Sequence, residues 1–521
     1  MKNPASAFAV LAFTCIFLIS CKHEEFVIPA QQDQFKEKFI LSNATLDPTK
    51  KGVWGVGSVV YQLPINREPN PNALVLDKIG KVYYPQQEII TPGPLILFLH
   101  GNGTGGFENY SVLCSHLASQ GFYVASISWP SKDYKSPEKA AAIRNSITGH
   151  INYLYNHNSS PLKGRITNDM VLMGHSRGGG EAVSDLTEFA KIKNVKSVIA
   201  LAPSPANMDM LEKFPLTSTT SLLVIYGSAD VDVHGDMDKI VNVRRTGFKF
   251  FDDAGYEWGN TNFVKDMVFI KGLNHVTFCD NSTDYISEQS VSMPEQHIIK
   301  GYINAFLQLH INKKAGYNQF FKYQVKIPSM DPSIKISQQH VDGEKLVLTN
   351  FKNDNADKVT HYGGTITYPS ATVNVKVNKA ALLNATSFHG TEAMAIGWQQ
   401  SNNKPAPVID FPFSNKTDLS SYNHLSIRVG IIPHYLNQQD KEQSFYAQIV
   451  DDNGTKSSFV PLTIPVSFYP ASTKSYMQSF LLPLSQFKNI DIKKVKSVSL
   501  HFINPNYPKG IIMMDNIEFY K

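Results

Sequence analysis

A short stretch near the middle of the chain combines a buried-strand pattern with a sharp turn. Residues 169–182 read DMVLMGHSRGGGEA, in which apolar residues suited to a buried strand precede a serine among four glycines. Glycines at Gly174 and Gly178 remove the Cβ atoms that would clash if the strand turned at once into a helix. The pattern Gly-x-Ser-x-Gly therefore predicts a strand-to-helix turn that exposes Ser176, and a flexible surface loop is the alternative.

A catalytic serine requires partners later in the chain, because an unassisted hydroxyl is a poor nucleophile. The run SLLVIYGSAD presents Asp230 just past an apolar strand, with Asp232 as the fallback acid. The run DMVFIKGLNHVTF delivers His275 from a loop after the last strand of this region. The chain order Ser, Asp, His is the one expected for this architecture, so we predict a triad of these three residues.

The same chemistry needs two N–H donors for the oxyanion of a tetrahedral intermediate. One prediction is the backbone N–H of Arg177, directly after the serine. The run LILFLHGNGTGG supplies the other from the loop after the third strand, from Asn102 or Gly103, and Asn102 is favoured. A phosphate cradle is the alternative, but the run has neither a Gly-x-Gly-x-x-Gly pattern nor a Gly-Lys-Ser/Thr ending.

The surrounding sequence predicts two domains in a chain of 521 residues. Residues 51–318 alternate short apolar runs with helical patterns, which predicts a mostly parallel sheet of eight strands with helices on both faces. Residues 319–340 are interpreted as a linker. Residues 341–521 contain short alternating runs separated by turn residues, which predicts an all-β sandwich of jelly-roll type. The predicted strands of the first domain are 57–63, 81–84, 95–99, 123–128, 170–173, 197–202, 222–226 and 267–270, and its predicted helices are 109–120, 137–156, 181–191 and 294–313.

The N-terminus carries an export pattern. After Lys2, the apolar residues 5–19 are too few for a comfortable membrane span, and they end in Leu-Ile-Ser-Cys, which resembles a bacterial lipobox. The resemblance implies a signal peptide over residues 1–20, lipidation at Cys21 and a tether over residues 21–50, and an ordinary secretory signal is the alternative. We expect a cell-envelope lipoprotein at the outer membrane or surface of a Gram-negative bacterium, with periplasmic retention left open, that meets the membrane through its lipid anchor only.

Charge and cysteine usage narrow the possible binding partners, metal sites and disulfides. The net charge of +5 comes with no long basic run, so nucleic-acid binding has no support. Residues 230–238 read DVDVHGDMD and mimic a metal site, but they lack the calcium-hand signature, and a solvated loop without metal is the prediction. Cys114 and Cys279 form either one disulfide or two separate buried thiols.

The motifs HGNG, GHSRGG, GSAD and GLNHVTF, with VYYP upstream and LASQGFYVASI between, resemble serine α/β-hydrolases. The similar group comprises chlorophyllases, platelet-activating-factor acetylhydrolases and cutinase-like esterases. The resemblance implies hydrolysis of a small-molecule, glycan-linked or lipid carboxylic ester through an acyl-enzyme, without metal or organic cofactor. It places the nucleophile at Ser176, the acid at Asp230 and the base at His275. A serine peptidase is an alternative, since ester and peptide cleavage use the same triad.

The closing pattern of the chain, from SFLLPLSQF through VKSVSLHF to GIIMMDNIEFY, resembles galactose-binding-like jelly rolls. Such a domain implies glycan binding, a structural calcium near a residue like Asp515, or packing on the catalytic neighbour. Trp398 and Tyr362 are either sugar-stacking or core aromatics, with the core role favoured. The C-terminal resemblance leaves an alternative function for the protein, in which it is a glycan-binding surface lipoprotein with a non-catalytic hydrolase scaffold.

Overall fold

The computed structural model describes most of the chain after its first 45 residues. The described residues are 46–64, 78–87, 91–102, 106–130, 137–204, 220–230, 232–233, 247–254, 263–281, 293–352, 355, 357–380, 387–468 and 475–521. They belong to one compact unit, Thr45–Lys521. The predicted signal peptide, Cys21 and nearly all of the predicted tether lie outside the described residues.

The N-terminal region is built on a mixed sheet of nine strands in the order β1-β2-β4-β3-β5-β6-β7-β8-β9. The six central strands, β4, β3, β5, β6, β7 and β8, are parallel to one another. Antiparallel pairs occur at both ends of the sheet: β1 with β2 and β2 with β4 at one end, and β8 with β9 at the other. The strands are β1 (Gly55–Gln62), β2 (Ile79–Gln86), β3 (Gly93–Leu99), β4 (Tyr123–Ile127), β5 (Ile166–His175), β6 (Asn194–Leu201), β7 (Ser221–Gly227), β8 (Lys265–Ile270) and β9 (Ile336–Val341). Each of the eight strands predicted from the sequence overlaps one of β1 to β8.

Helices follow β3, β4, β5 and β7 and lead to the next parallel strand, as expected for such a sheet, and most of the connection from β6 to β7 lies outside the described residues. Strands β4, β7 and β8 are buried along their whole length, which explains their near-continuous apolar sequences. The helices are α1 (Ser111–Ser119), α2 (Pro137–Asn156), α3 (Arg177–Ser184), α4 (Leu186–Ile192), α5 (Gly247–Asp253) and α6 (Met293–His310). The helix predicted over residues 181–191 is two helices, the first of which begins four residues earlier.

The C-terminal region is all β and antiparallel, as the sequence predicts. One sheet has the order β11-β12-β19-β14-β17 with β10 paired to β19, and the other has the order β13-β18-β15-β16. Their core includes Trp398, which is 2% exposed and stacks on Phe502 at 4.5 Å between ring centroids. The strands are β10 (Lys345–Thr349), β11 (Val373–Lys379), β12 (Glu392–Gln399), β13 (Val408–Thr417), β14 (His424–Ile431), β15 (Gln443–Asp451), β16 (Val460–Ile464), β17 (Gln478–Pro483), β18 (Val495–His501) and β19 (Lys509–Tyr520).

Strand β9 overlaps the end of the predicted linker and joins the two regions directly. It pairs antiparallel with β8 in the first sheet. On the other side, Ser337 donates a hydrogen bond to Gln478 at 3.1 Å, and the His340 backbone N–H donates to Ser479 at 3.2 Å. The end of the predicted linker, residues 336–340, is therefore packed structure between the two regions.

Aromatic residues of the C-terminal region complete the core beneath β7 and β8. Phe388 stacks on Phe248 of α5 with ring centroids 5.5 Å apart, and Phe468 stacks on Phe269 of β8 at 5.4 Å. Phe388, Phe468 and Tyr476 belong to the same buried cluster as the first sheet. The two strands that precede Asp230 and His275 thus depend on the C-terminal region for part of their packing.

A buried polar network crosses the same boundary. Arg428 of β14 binds Asp252 of α5, contacts Asp515 at 2.5 Å and donates from Nε to Gln339 of β9 at 2.6 Å. His389 contacts the other oxygen of Asp252 at 2.9 Å. Asp515 is therefore engaged by an arginine, which gives this carboxylate a structural role.

Within the described ranges, no helix is long and apolar enough to cross a membrane. Among the same residues, no group of three or more His, Cys, Asp or Glu side chains forms a candidate metal site.

Candidate active site

Ser176 sits at a sharp turn between β5 and α3. Its backbone has φ 54° and ψ −120°, a region that residues other than glycine rarely adopt. The turn is fixed by the Ser176 N–H, which donates to Leu201 at 2.9 Å, and by its carbonyl, which accepts from Gly180 and Ser204 at 3.0 and 2.9 Å. The serine is thus held in a strained position that the surrounding hydrogen bonds impose. It is buried, with 4% exposure, and not exposed as the sequence predicts.

Close backbone approach explains the glycines around the serine. A Cβ atom on Gly174 would lie 2.2 Å from the carbonyl oxygen of Gly178. A Cβ atom on Gly178 would lie 2.1 Å from the carbonyl oxygen of Leu99, at the end of β3. Both contacts are with backbone, which has no rotamer to change, so only glycine fits at either position.

Asp230 follows β7 and is completely buried. Its Oδ1 accepts hydrogen bonds from the backbone N–H groups of Asp232 and Val233 at 3.2 and 3.1 Å. Its Oδ2 lies 2.9 Å from Nδ1 of His275. Gly227, at the end of β7, lets the two loops approach, since a Cβ there would lie 2.0 Å from the Leu273 carbonyl oxygen.

His275 opens a short 3₁₀ turn, His275–Phe278, after β8. The side chain of Asn274 caps this turn by accepting from the backbone N–H groups of Val276 and Thr277 at 3.1 and 3.0 Å. The imidazole is buried, with Nδ1 toward Asp230 and Nε2 3.2 Å from Oδ2 of Asp232. The two acids considered in the sequence thus face opposite nitrogens of one ring.

His175 links the serine turn to the other loops of the site. Its ring centroid lies 4.7 Å from that of His275. Its Nδ1 is 2.9 Å from the Tyr110 hydroxyl, which also accepts from the Gly101 N–H at 3.1 Å. Burial, and then the neighbouring His275, holds the pKa of His175 well below its usual value, so this ring is neutral and structural.

The predicted oxyanion donors lie on both sides of the serine turn. Arg177 is the first residue of α3, and the first N–H groups of a helix have no acceptor within it. Asn102 is exposed in the loop after β3. That loop abuts α3, because a Cβ on Gly178 would lie 2.8 Å from the His100 carbonyl oxygen. Gly103, the alternative donor, is outside the described residues.

The remaining candidates have structural surroundings. Cys114 and Cys279 are both buried and free of a disulfide, and burial raises the pKa of the Cys114 thiol. Of the metal-like run 230–238, only Asp230, Asp232 and Val233 are described. Tyr362 is 40% exposed and packs edge-on against Phe413.

Comparison of the chain with protein-family models and with the sequences of curated proteins gives no match.

Sequence reasoning missed two parts of this arrangement. Asn274 precedes His275 directly, and an asparagine before a short turn is a recognisable capping signal. Tyr110 carries no such signal, because its contact with His175 joins residues 65 positions apart in the chain.

Proposed function

We propose that this protein is a serine hydrolase of the α/β-hydrolase fold that cleaves carboxylic esters through an acyl-enzyme. The observation that carries the proposal is the 2.9 Å contact between Asp230 and Nδ1 of His275, beside a serine in a strained strand-to-helix turn. A buried carboxylate on Nδ1 holds the imidazole in the tautomer whose Nε2 accepts a serine proton. A scaffold without catalysis has no need of this pairing.

The strand order supports the fold assignment. Ser176 follows β5, Asp230 follows β7 and His275 follows β8. These three strands lie within four consecutive parallel strands of the sheet, β5-β6-β7-β8, and each residue follows the carboxyl end of its strand. Loops at these ends meet at one edge of the sheet, which is where open α/β sheets carry their active sites. The same chain order is expected for the resembled group of chlorophyllases, acetylhydrolases and cutinase-like esterases.

In the proposed reaction, the Ser176 hydroxyl attacks the ester carbonyl while Nε2 of His275 takes its proton. The backbone N–H of Arg177 and a donor at Asn102 stabilise the oxyanion. The tetrahedral intermediate expels the alcohol, which receives the proton from His275, and leaves an acyl-serine. Water, activated by the same imidazole, then releases the acid and restores the serine.

Location and the C-terminal region belong to the same proposal. Lipidation at Cys21 would tether the enzyme to the cell envelope, as the lipobox-like run implies. Glycan contact through the C-terminal sheets is an additional proposal from the jelly-roll resemblance. Trp398 does not support it, because its ring is buried in the core.

The test is burst release of p-nitrophenol from acetate and butyrate esters by the chain from residue 22. Ser176→Ala should abolish the burst. Ser184→Ala, at the end of the helix α3 that follows Ser176, should retain it. Labelling by a fluorophosphonate serine probe should be lost in Ser176→Ala alone. The absence of both turnover and labelling in the unmodified protein would refute the proposal, and faster cleavage of a matched anilide would replace the esterase by a peptidase.

A further inference from the structure

His275 lies between two carboxylates, and the proposed triad uses one of them. Nδ1 contacts Asp230 at 2.9 Å, and Nε2 contacts Asp232 at 3.2 Å. The side chain of Asp230 is fully buried, whereas that of Asp232 is 45% exposed. Asp232 therefore faces both the imidazole and solvent, at the side of the ring that the triad leaves for the reacting groups.

The turn after β7 builds Asp232 into this position. Its backbone N–H donates to Oδ1 of Asp230 at 3.2 Å, so the residue that holds His275 also holds the backbone of Asp232. The next residue, Val233, is 2% exposed and donates to the same carboxylate oxygen at 3.1 Å. The second carboxylate is thus presented by the same hydrogen-bonded turn as the first.

Nε2 is the nitrogen that returns a proton to the departing alcohol in a serine hydrolase. The alcohol oxygen must approach this nitrogen to within about 2.6–3.2 Å. A carboxylate 3.2 Å from the same atom then lies beside the alcohol half of the ester. A charge on the alcohol half of the substrate therefore interacts electrostatically with the Asp232 carboxylate.

Three other titratable residues adjoin His275 or Ser176, namely Asp230, His175 and Arg177. Asp230 is committed to Nδ1, and His175 is neutral because burial lowers its pKa. Arg177, half-buried after Ser176, carries a positive charge that acts in the opposite sense. The preference of the unmodified enzyme for charged or neutral substrates depends on the sum of the electrostatic effects of these groups. The change in that preference when Asp232 is replaced measures the contribution of Asp232 alone.

We infer that Asp232 is a specificity determinant that favours esters whose alcohol part carries a positive charge over neutral or anionic ones. The inference rests on the proposed esterase function and adds the charge class of its substrate. A unit charge about 5 Å from a half-exposed carboxylate changes kcat/KM by about fivefold or more, because the effective dielectric there is below that of bulk water. The preference weakens with salt, since exposed charges are screened.

The experiment compares two acetyl esters of the same shape, acetylcholine and 3,3-dimethylbutyl acetate, which differ in one positive charge. The measured quantity is the ratio of their kcat/KM values. We expect this ratio to fall about fivefold or more in Asp232→Asn at low ionic strength. In the unmodified enzyme, 1 M NaCl should lower the ratio in the same direction.

Asp169→Asn is the matched control. Its side chain is 38% exposed, and Asp169 lies on β5 seven residues before Ser176, about 23 Å away at the rise of a β-strand. This variant should keep the ratio of the unmodified enzyme.

Two failures are distinguishable. If p-nitrophenyl acetate is cleaved but Asp232→Asn keeps the ratio of the unmodified enzyme, the inference is wrong and the esterase proposal stands. If p-nitrophenyl acetate is not cleaved and Ser176 is not labelled, the esterase proposal is wrong and the inference falls with it.

Discussion

Asp230 and His275 meet through Oδ2 and Nδ1 at 2.9 Å, although 44 residues separate them in the chain. The carboxylate is completely buried, and its other oxygen is occupied by two backbone N–H groups of its own turn. Asp230 therefore presents its second oxygen, Oδ2, to Nδ1 of His275.

The first prediction concerns this pair. Asp230→Asn should lower kcat by about 10³–10⁴-fold, because an amide does not hold the imidazole in the required tautomer. Steady-state hydrolysis of p-nitrophenyl acetate measures the loss, with Asp232→Asn assayed beside it. Loss of activity in Asp232→Asn with near-normal activity in Asp230→Asn would transfer the role of the acid to Asp232.

A second prediction concerns the turn before α3. Gly178→Ala should destabilise the fold by at least about 2–3 kcal/mol, because its Cβ would overlap the Leu99 carbonyl oxygen and force the backbone to move. Urea unfolding measures the change. Gly164→Ala is the matched control: no heavy atom lies within 4 Å of its Cβ, and its φ of 74° predicts a cost of about 1 kcal/mol. Equal costs at the two positions would contradict the close-approach argument.

The first sheet was largely predictable because its strands are continuous apolar runs. Strand β9 was not, since its sequence ISQQHV has no such run although most of it is buried. Three of its polar side chains bind distant partners: Gln338 donates to the Phe320 carbonyl, Gln339 accepts from Arg428, and His340 contacts Asp266 at 2.7 Å. Periodicity of hydrophobic residues does not detect a strand buried through its hydrogen bonds.

The site shows the same division. Ser176 is marked by a local pattern of glycines, and the chain order of later loops points to Asp230 and His275. The contact of Asp232 with Nε2 of His275 depends on how two loops meet in space, which no local pattern encodes. The helix after Ser176 also begins earlier than predicted, because the glycines that discourage a helix are required there for close packing.

A third prediction concerns the boundary between the two regions. Arg428→Met should lower the free energy of unfolding by about 3–5 kcal/mol, because it leaves Asp252 and Asp515 as buried carboxylates without their cation. Burial alone would raise the pKa of Asp252, but Arg428 and His389 outweigh it and hold the pKa below its usual value. Urea unfolding measures the loss, and Lys191→Met, which removes an exposed pair with Glu188, should cost less than about 0.5 kcal/mol. A similar small cost at Arg428 would show that the network adds nothing to stability.

The last prediction follows from histidines that are buried in the neutral form. Burial lowers the pKa of His116, His424 and His501 to about 4 in each case. It also lowers that of His389, whose Nε2 accepts from the Met477 backbone N–H at 2.8 Å and so carries no proton.

In the unfolded chain these groups titrate near 6.5, so below that pH the unfolded state binds more protons than the folded state. The contribution of these histidines to stability is therefore complete above about pH 6.5 and is lost as the pH falls toward 4, by about 1.4 kcal/mol per pH unit for each histidine. Urea unfolding at pH 7.5, 6.5 and 5.5 measures the slope. His501→Gln should reduce the slope below pH 6.5 by about one proton. A free energy of unfolding that stays constant from pH 7.5 to 5.5 would show that these imidazoles are protonated in the folded protein.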